Sequence, residues 1–215
     1  MIGESWGQLD AMAAPAVGIL FAHGAGLSSQ SAWMKGWSGR LARVGHVRTF
    51  DYPYMQAGRR RPDHHDVLVQ AHRESLTALR ATEPRTIVLA GKSMGSRMGC
   101  HVTLVESVSC VVCFGYPLVN NGAVRDAILK EMRTPILFIQ GTRDSLCPLE
   151  MLQRVRSHMQ APNELHVVAD GDHSLLVTKT ALKRGGFDQN DVDEKILSAI
   201  EQFVRRHATS ESPCR

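Results

Sequence analysis

Six short apolar runs, separated by amphipathic stretches, constrain this chain more than any other feature. They span residues 17–22, 47–50, 86–90, 111–114, 136–140 and 165–169. Several are apolar at nearly every position, the pattern of strands buried on both faces. Between them, helical spacing recurs. Trp33, Trp37, Leu41 and Val44 form one stripe, and Leu68, Ala71, Ser75 and Leu79 another. Met94, Met98, Val102 and Val105 form a third. Leu152, Val155 and Met159 follow Pro148, which suits a first helical turn. Val192, Ile196, Ile200 and Phe203 give the closing helix a buried face. The stretch 122–132 is a weaker helix candidate. Alternating strand and helix predict a mostly parallel sheet of about six or seven strands, with right-handed crossovers and helices on both faces.

With 215 residues, 43% of them hydrophobic, the chain is sized for one domain. Residues 1–206 are assigned to it, and the polar stretch 207–215 is expected to be a flexible tail. The first fifteen residues have room for one extra strand at most. No apolar run approaches the roughly 18 residues of a membrane-spanning helix, and the N-terminus lacks the pattern of a secretory leader. Cys100, Cys110, Cys113, Cys147 and Cys214 make an odd count. Cys110 and Cys113 have CxxC spacing but lie in a strand-like run, where residues three apart point to opposite faces. Reduced thiols in a cytosolic or nuclear protein follow from this. The net charge of +4 is compatible with anionic partners without demanding them. Arg59, Arg60 and Arg61, between Gly58 and Pro62, read as a loop tip, and no nucleic-acid-binding motif accompanies them.

Chemistry enters at Gly91-Lys92-Ser93-Met94-Gly95, a G-x-S-x-G match. Ser93 falls where the 86–90 strand should hand over to a helix starting at Met94, at the carboxyl edge where parallel sheets gather their sites. Gly91 and Gly95 suit a tight turn in which side chains would strike neighbouring elements, and Gly99 would let the helix lie close to the sheet. An activated serine needs a base, and the base an orienting acid. Asp144 lies just past the 136–140 run and His173 just past the last one, in the chain order Ser, Asp, His. An oxyanion hole would use the backbone N–H of Met94 and that of Ala25, in the small-residue loop Gly24-Ala25-Gly26.

Other residues compete for these roles. Asp170 and Asp172 flank His173, but residues so close in sequence rarely reach the far ring nitrogen, and one of them suits the turn. His166 lies within a strand, and His23 is placed to brace the oxyanion loop. His64, His65 and Asp66 have a metal-like look, yet adjacent helical positions diverge by about 100° and would not share an ion. No metal or organic cofactor is expected.

The segments "FAHGAG", "FDYPY", "GKSMGSR", "GYPL", "GTRDSLCP" and "MQAPNELHVVADGDHS" together resemble small α/β-hydrolase-superfamily proteins of the dienelactone-hydrolase branch. They resemble in particular the testis-expressed hydrolase-like proteins. They also resemble the hydrolase-like domain of the third regulatory subunit of the nonspecific-lethal histone acetyltransferase complex, and similar plant proteins. The likeness runs from about Val17 to Phe203. It implies an α/β-hydrolase core with Ser93, Asp144 and His173 as triad and Gly24-Ala25 as oxyanion loop. Dienelactone hydrolases usually carry cysteine where Ser93 stands, so their substrate does not transfer. The stretch between Phe114 and Asp144 is too short for a lid domain, and the early strands of the full fold are mostly missing.

A lidless pocket would be built from loops near residues 24–33, 51–62, 115–122 and 178–187. Gly24, Tyr52, Tyr54, Tyr116 and Leu118 are candidates for its wall, and Lys92 for an anion-attracting mouth. Two readings follow. One is a serine hydrolase of small ester, thioester or related acyl substrates. The other is a hydrolase-fold interaction module of a chromatin-related or other assembly, with protein partners and an unused triad.

Overall fold

A computed structural model of the chain describes residues 16–208. In chain order the elements are β1 (Val17–Ala22), α1 (Ala32–Leu41), β2 (His46–Phe50), α2 (Pro53–Gln56), α3 (His65–Arg80), β3 (Thr86–Lys92), α4 (Met94–Val102) and β4 (Cys110–Phe114). A two-stranded hairpin follows, β5 (Val119–Asn120) and β6 (Ala123–Val124). Then come α5 (Ala127–Glu131), β7 (Ile136–Gly141), α6 (Leu149–Arg156), β8 (Asn163–Val168), α7 (Lys179–Gly185) and α8 (Gln189–Ala208).

All six apolar runs become strands of one parallel sheet, ordered β2-β1-β3-β4-β7-β8. The central strands are the most apolar because helices cover both their faces: every residue of β4 and β7 is buried. The edge strands β2 and β8 are only half-covered. Two apolar layers result. Met34, Trp37 and Leu41 of α1 and Ile196, Ile200 and Phe203 of α8 fill one face, and Leu76, Leu79, Leu129 and Leu152 fill the other. Cys110 and Cys113 fall in different layers, as strand alternation requires. Among the described residues no helix is long and apolar enough to cross a membrane.

Several local expectations are corrected. On α3 the buried face is Leu68, His72, Leu76 and Leu79, so the stripe drawn through Ala71 and Ser75 lies slightly off the true face. Helix α4 stops at Val102, leaving Val105 64% exposed. The weak helix over 122–132 shrinks to α5. Its first residues instead form a hairpin around Asn121 and Gly122, both at positive φ (48° and 77°), as a two-residue turn in a twisted ribbon demands. The stretch 178–187 holds α7, capped by the Thr178 hydroxyl, which accepts from Ala181 N–H, and ended by Gly186 in the left-handed region. His207 and Ala208 belong to α8, where the His207 ring packs on Phe203. The rest of the expected tail, Cys214 and the possible first strand lie outside the described residues.

The sheet register places the ends of β1, β3, β4, β7 and β8 along one rim. Ala22 pairs with Gly91, Lys92 with Phe114, and Gly141 with Val168. The loops that carry Ala25, Ser93, Asp144 and His173 all leave from that rim.

Candidate active site

Ser93 stands between β3 and α4 with φ 51° and ψ −113°, a conformation that a residue with a Cβ adopts only under constraint. Its surroundings supply that constraint. A Cβ on Gly91 would run into the backbone of Gly95 and Ser96, and one on Gly95 into the carbonyls of Ala22 and His23. The turn is thus wedged against β1 and can close only with glycine at both positions. Gly99 is different: a Cβ there would meet nothing nearer than His72 Cε1 at 3.6 Å, so close packing does not require this glycine.

His173 Nε2 lies 2.9 Å from Ser93 Oγ, and His173 Nδ1 lies 2.7 Å from Asp144 Oδ2. A carboxylate can only accept, so Nδ1 carries the proton and Nε2 is left to accept from the serine hydroxyl. Asp144 is buried. Burial alone would raise its pKa. Hydrogen bonds outweigh it, from His173, from Gln140 Nε2 at 2.5 Å and from Leu146 N–H at 2.9 Å, and the pKa falls below the usual carboxylate value. Gln140, the fully buried penultimate residue of β7, is the partner that sequence reasoning missed. Its place four residues before Asp144, at a strand end, was the available signal.

The competing residues take structural positions. Asp172 Oδ1 accepts from the N–H groups of Ser174 (2.7 Å) and Leu176 (3.0 Å), shaping the turn that carries His173. Asp170, at φ 57°, meets Arg184 at 3.4 Å. His23 is fully buried. Its Nδ1–H donates to the Gly24 carbonyl at 2.8 Å and its Nε2 accepts from Tyr52 N–H at 3.2 Å, while burial keeps its pKa below the ordinary value. His166 is half-buried on the edge strand. His64 is the N-cap position of α3, and His65 meets Asp66 at 3.0 Å while its ring packs against His101.

A cleft of about 400 Å³ opens at Ser93, and Ala25 and Met94 line it. Met94 N–H is the first of α4, beyond the reach of any intrahelical carbonyl. Ala25 N–H donates to no backbone carbonyl among the described residues. Gly24 is buried just beneath, where a Cβ would come 3.3 Å from the Ser93 Cβ. The candidate wall residues lie elsewhere. Tyr52, Tyr54, Tyr116 and Leu118 are fully buried and do not line the cleft. Tyr52 Oη lies 3.1 Å from His72 Nδ1, and Tyr116 O–H donates to the Arg125 carbonyl. Of the four loops, that at 178–187 contributes nothing to the lining.

Lys92 is also absent from the mouth. It is 1% exposed, donates from Nζ to the His173 carbonyl at 2.5 Å, and lies 5.7 Å from the Trp33 ring centroid. Burial lowers its pKa to about 8, against the pull of Asp144 and Asp172. Trp33 Nε1–H meanwhile donates to the Ser174 carbonyl at 3.0 Å. The two residues therefore hold the histidine loop from beneath. The positive charges that do line the cleft belong to Arg97 and Arg125, neither of which the sequence reading singled out. Arg97 was the more legible, one helical turn after Ser93.

Comparison with known proteins agrees with this architecture. The α/β-hydrolase domain family matches over residues 15–205. The protein sumv-2 of Caenorhabditis elegans is 30% identical over 105 residues, which cover 47% of this chain and 9% of that protein. The similarity thus spans a small part of a much longer relative. Among solved structures, XC6422 of Xanthomonas campestris, an α/β serine hydrolase without a lid, aligns with a TM-score of 0.68 at 16% identity. That alignment covers 92% of this chain and 84% of that one. Dienelactone hydrolase of Anabaena variabilis aligns with a TM-score of 0.66 at 17% identity, covering 89% and 87%. The RedJ thioesterase of Streptomyces coelicolor gives 0.61 at 14%, covering 87% and 86%. With the whole described sheet inside the matched span, the chain belongs to the α/β-hydrolase domain family.

Proposed function

We propose that the protein is a serine hydrolase acting on a small ester, thioester or related acyl substrate. The observation that carries this reading is the hydrogen-bonded chain Ser93–His173–Asp144, drawn from three separate strand ends. As Ser93 Oγ attacks the carbonyl carbon, His173 Nε2 takes its proton. Asp144 keeps the imidazole in the tautomer that can do so and stabilises the cation that forms. The N–H groups of Met94 and Ala25 receive the developing oxyanion, with α4 adding the positive end of its dipole. His173 returns the proton to the leaving group, and water, deprotonated by the same nitrogen, releases the acyl group from Ser93.

Steady-state hydrolysis of short-chain nitrophenyl esters and acyl thioesters tests the proposal. The wild type is expected to turn over members of one or both series. Asp144→Asn should retain folding and lower kcat by about 10⁴, because an amide holds the wrong tautomer. A wild-type rate matched by Ser93→Ala would contradict a serine mechanism.

A further inference from the structure

We propose that the acyl substrate carries an anionic group, a carboxylate or a phosphate, held by Arg97 and Arg125. This rests on the hydrolase reading above and adds to it the chemical class of substrate.

Both arginines line the same cleft as Ser93. Arg97 sits one turn along α4 from the nucleophile, its N–H bonded to the Ser93 carbonyl at 3.2 Å. Four helical residues advance about 6 Å. Arg125 follows the β5–β6 hairpin, and its backbone is fixed at both ends: its N–H donates to the Leu118 carbonyl at 2.7 Å, and its carbonyl accepts from Tyr116. The two side chains thus reach the cleft from different elements, one from α4 and one from the end of the hairpin.

Neither guanidinium has a carboxylate within ion-pair distance among the described residues. Other described arginines, Arg48 and Arg85 among them, also lack such a pair, but these two lie together in the cleft at Ser93. Among the described residues, the side-chain hydrogen-bond partner of the half-buried Arg97 is His101 Nε2, at 3.4 Å. Burial, then the charges of His65 and Arg97, drive the His101 pKa to about 4, so at neutral pH this ring is an uncharged acceptor. Arg97 itself is disfavoured as a cation first by burial and then by the facing charge of Arg125. Asp63 is the acid in the lining, but its Oδ1 already receives Arg59 at 2.7 Å, while its buried Oδ2 has no partner. Two like charges thus line one cleft, and no carboxylate among the described residues lies within ion-pair distance of either. An oxyanion entering it would satisfy both, and planar guanidinium forks suit carboxylate and phosphate. Leu68, Met98, Val119 and Leu146 supply apolar surface for the linking chain.

Two matched substrate pairs test the proposal. The first sets 4-nitrophenyl hemiglutarate against 4-nitrophenyl valerate, with charge on the acyl side. The second sets the valeryl thioester of 2-mercaptoethyl phosphate against that of 2-mercaptoethanol, with charge on the leaving group. Spontaneous hydrolysis is subtracted throughout. In at least one pair the charged member should show a kcat/KM at least tenfold higher at low salt. That ratio should collapse towards one in Arg125→Gln and in Arg97→Gln, and shrink in the wild type at high ionic strength. Which pair responds tells a carboxylate on the acyl side from a phosphate on the leaving group. Equal or reversed preference in both pairs, or a preference that survives both substitutions, overturns the proposal while leaving the hydrolase reading standing. Calorimetric titration of glutarate into Ser93→Ala protein reads the site without turnover. Binding that is lost in Ser93→Ala/Arg125→Gln supports the anion site even if no ester is cleaved, and absence of binding to Ser93→Ala counts against it.

Discussion

Lys92 and Gln140 show how much of this site rests on residues that cannot touch a substrate. Each is buried at the end of a central strand, and each spends its polar head on a member of the candidate triad: Lys92 on the His173 carbonyl, Gln140 on the Asp144 carboxylate. A buried ammonium is costly, and its lowered pKa expresses that cost. Below about pH 8 the lysine is charged in folded and unfolded chains alike. Between about 8 and 10.5 the unfolded chain binds the extra proton, so folding stability conferred through this group rises with pH. Comparison of wild type with Lys92→Met by chemical denaturation isolates the effect. Relative to the variant, the wild type should gain about 3 kcal/mol across that window. A constant difference would mean that Lys92 is not held in this environment.

At the level of elements, the strand–turn–helix unit β3–α4 carries the largest share of the site. It supplies Ser93, the proposed oxyanion donor Met94 N–H and Arg97, and its geometry depends on an α4 pressed onto the end of β1. The two glycines of α4 separate this requirement from ordinary helix preference. Gly95→Ala places a methyl against the carbonyls of Ala22 and His23. It should destabilise the protein by roughly 2–3 kcal/mol and lower the melting temperature by several degrees. Gly99→Ala, in the same helix, meets only ordinary contacts and should stabilise by roughly 0.5–1 kcal/mol. Calorimetric melting of the two variants side by side checks the contrast. The reasons for legibility also differ by element. Buried parallel strands announce themselves because both faces must be apolar, and the six runs needed no further signal. The β5–β6 hairpin and α7 are too short for periodicity, and their signals, Asn121-Gly122 and the Thr178 cap, are local turn chemistry that a search for stripes passes over. On α3 the stripe through Ala71 and Ser75 runs one residue short of the true face at His72 and Leu76, because a histidine gives no apolar signal although this one lies wholly within the core.

Across the whole molecule, the parallel sheet gathers its loops at one rim, and this is why residues far apart in the chain were readable as one site. Chain order and strand ends are sequence properties, so Ser93, Asp144 and His173 could be named from them. What lines the cleft was not readable in the same way. Tyr52, Tyr116 and Leu118 look like wall residues by type and position, but their side chains are buried in the apolar clusters and not in the cleft. Lys92 is hidden for a different reason: strand alternation at the end of β3 points it at Trp33 of α1 rather than at the opening. The net result is a platform with the half-buried candidate nucleophile at the cleft and with Arg97 and Arg125 in the cleft lining.

The central claim is that Ser93 is chemically activated by His173. Intact-mass analysis after incubation with a fluorophosphonate reads this directly and requires no knowledge of the substrate. The wild type should gain a single adduct located by peptide mapping to Ser93, with labelling abolished in Ser93→Ala and slowed at least about 10³-fold in His173→Ala. A folded wild-type protein that stays unmodified, or one labelled equally fast without His173, would contradict it.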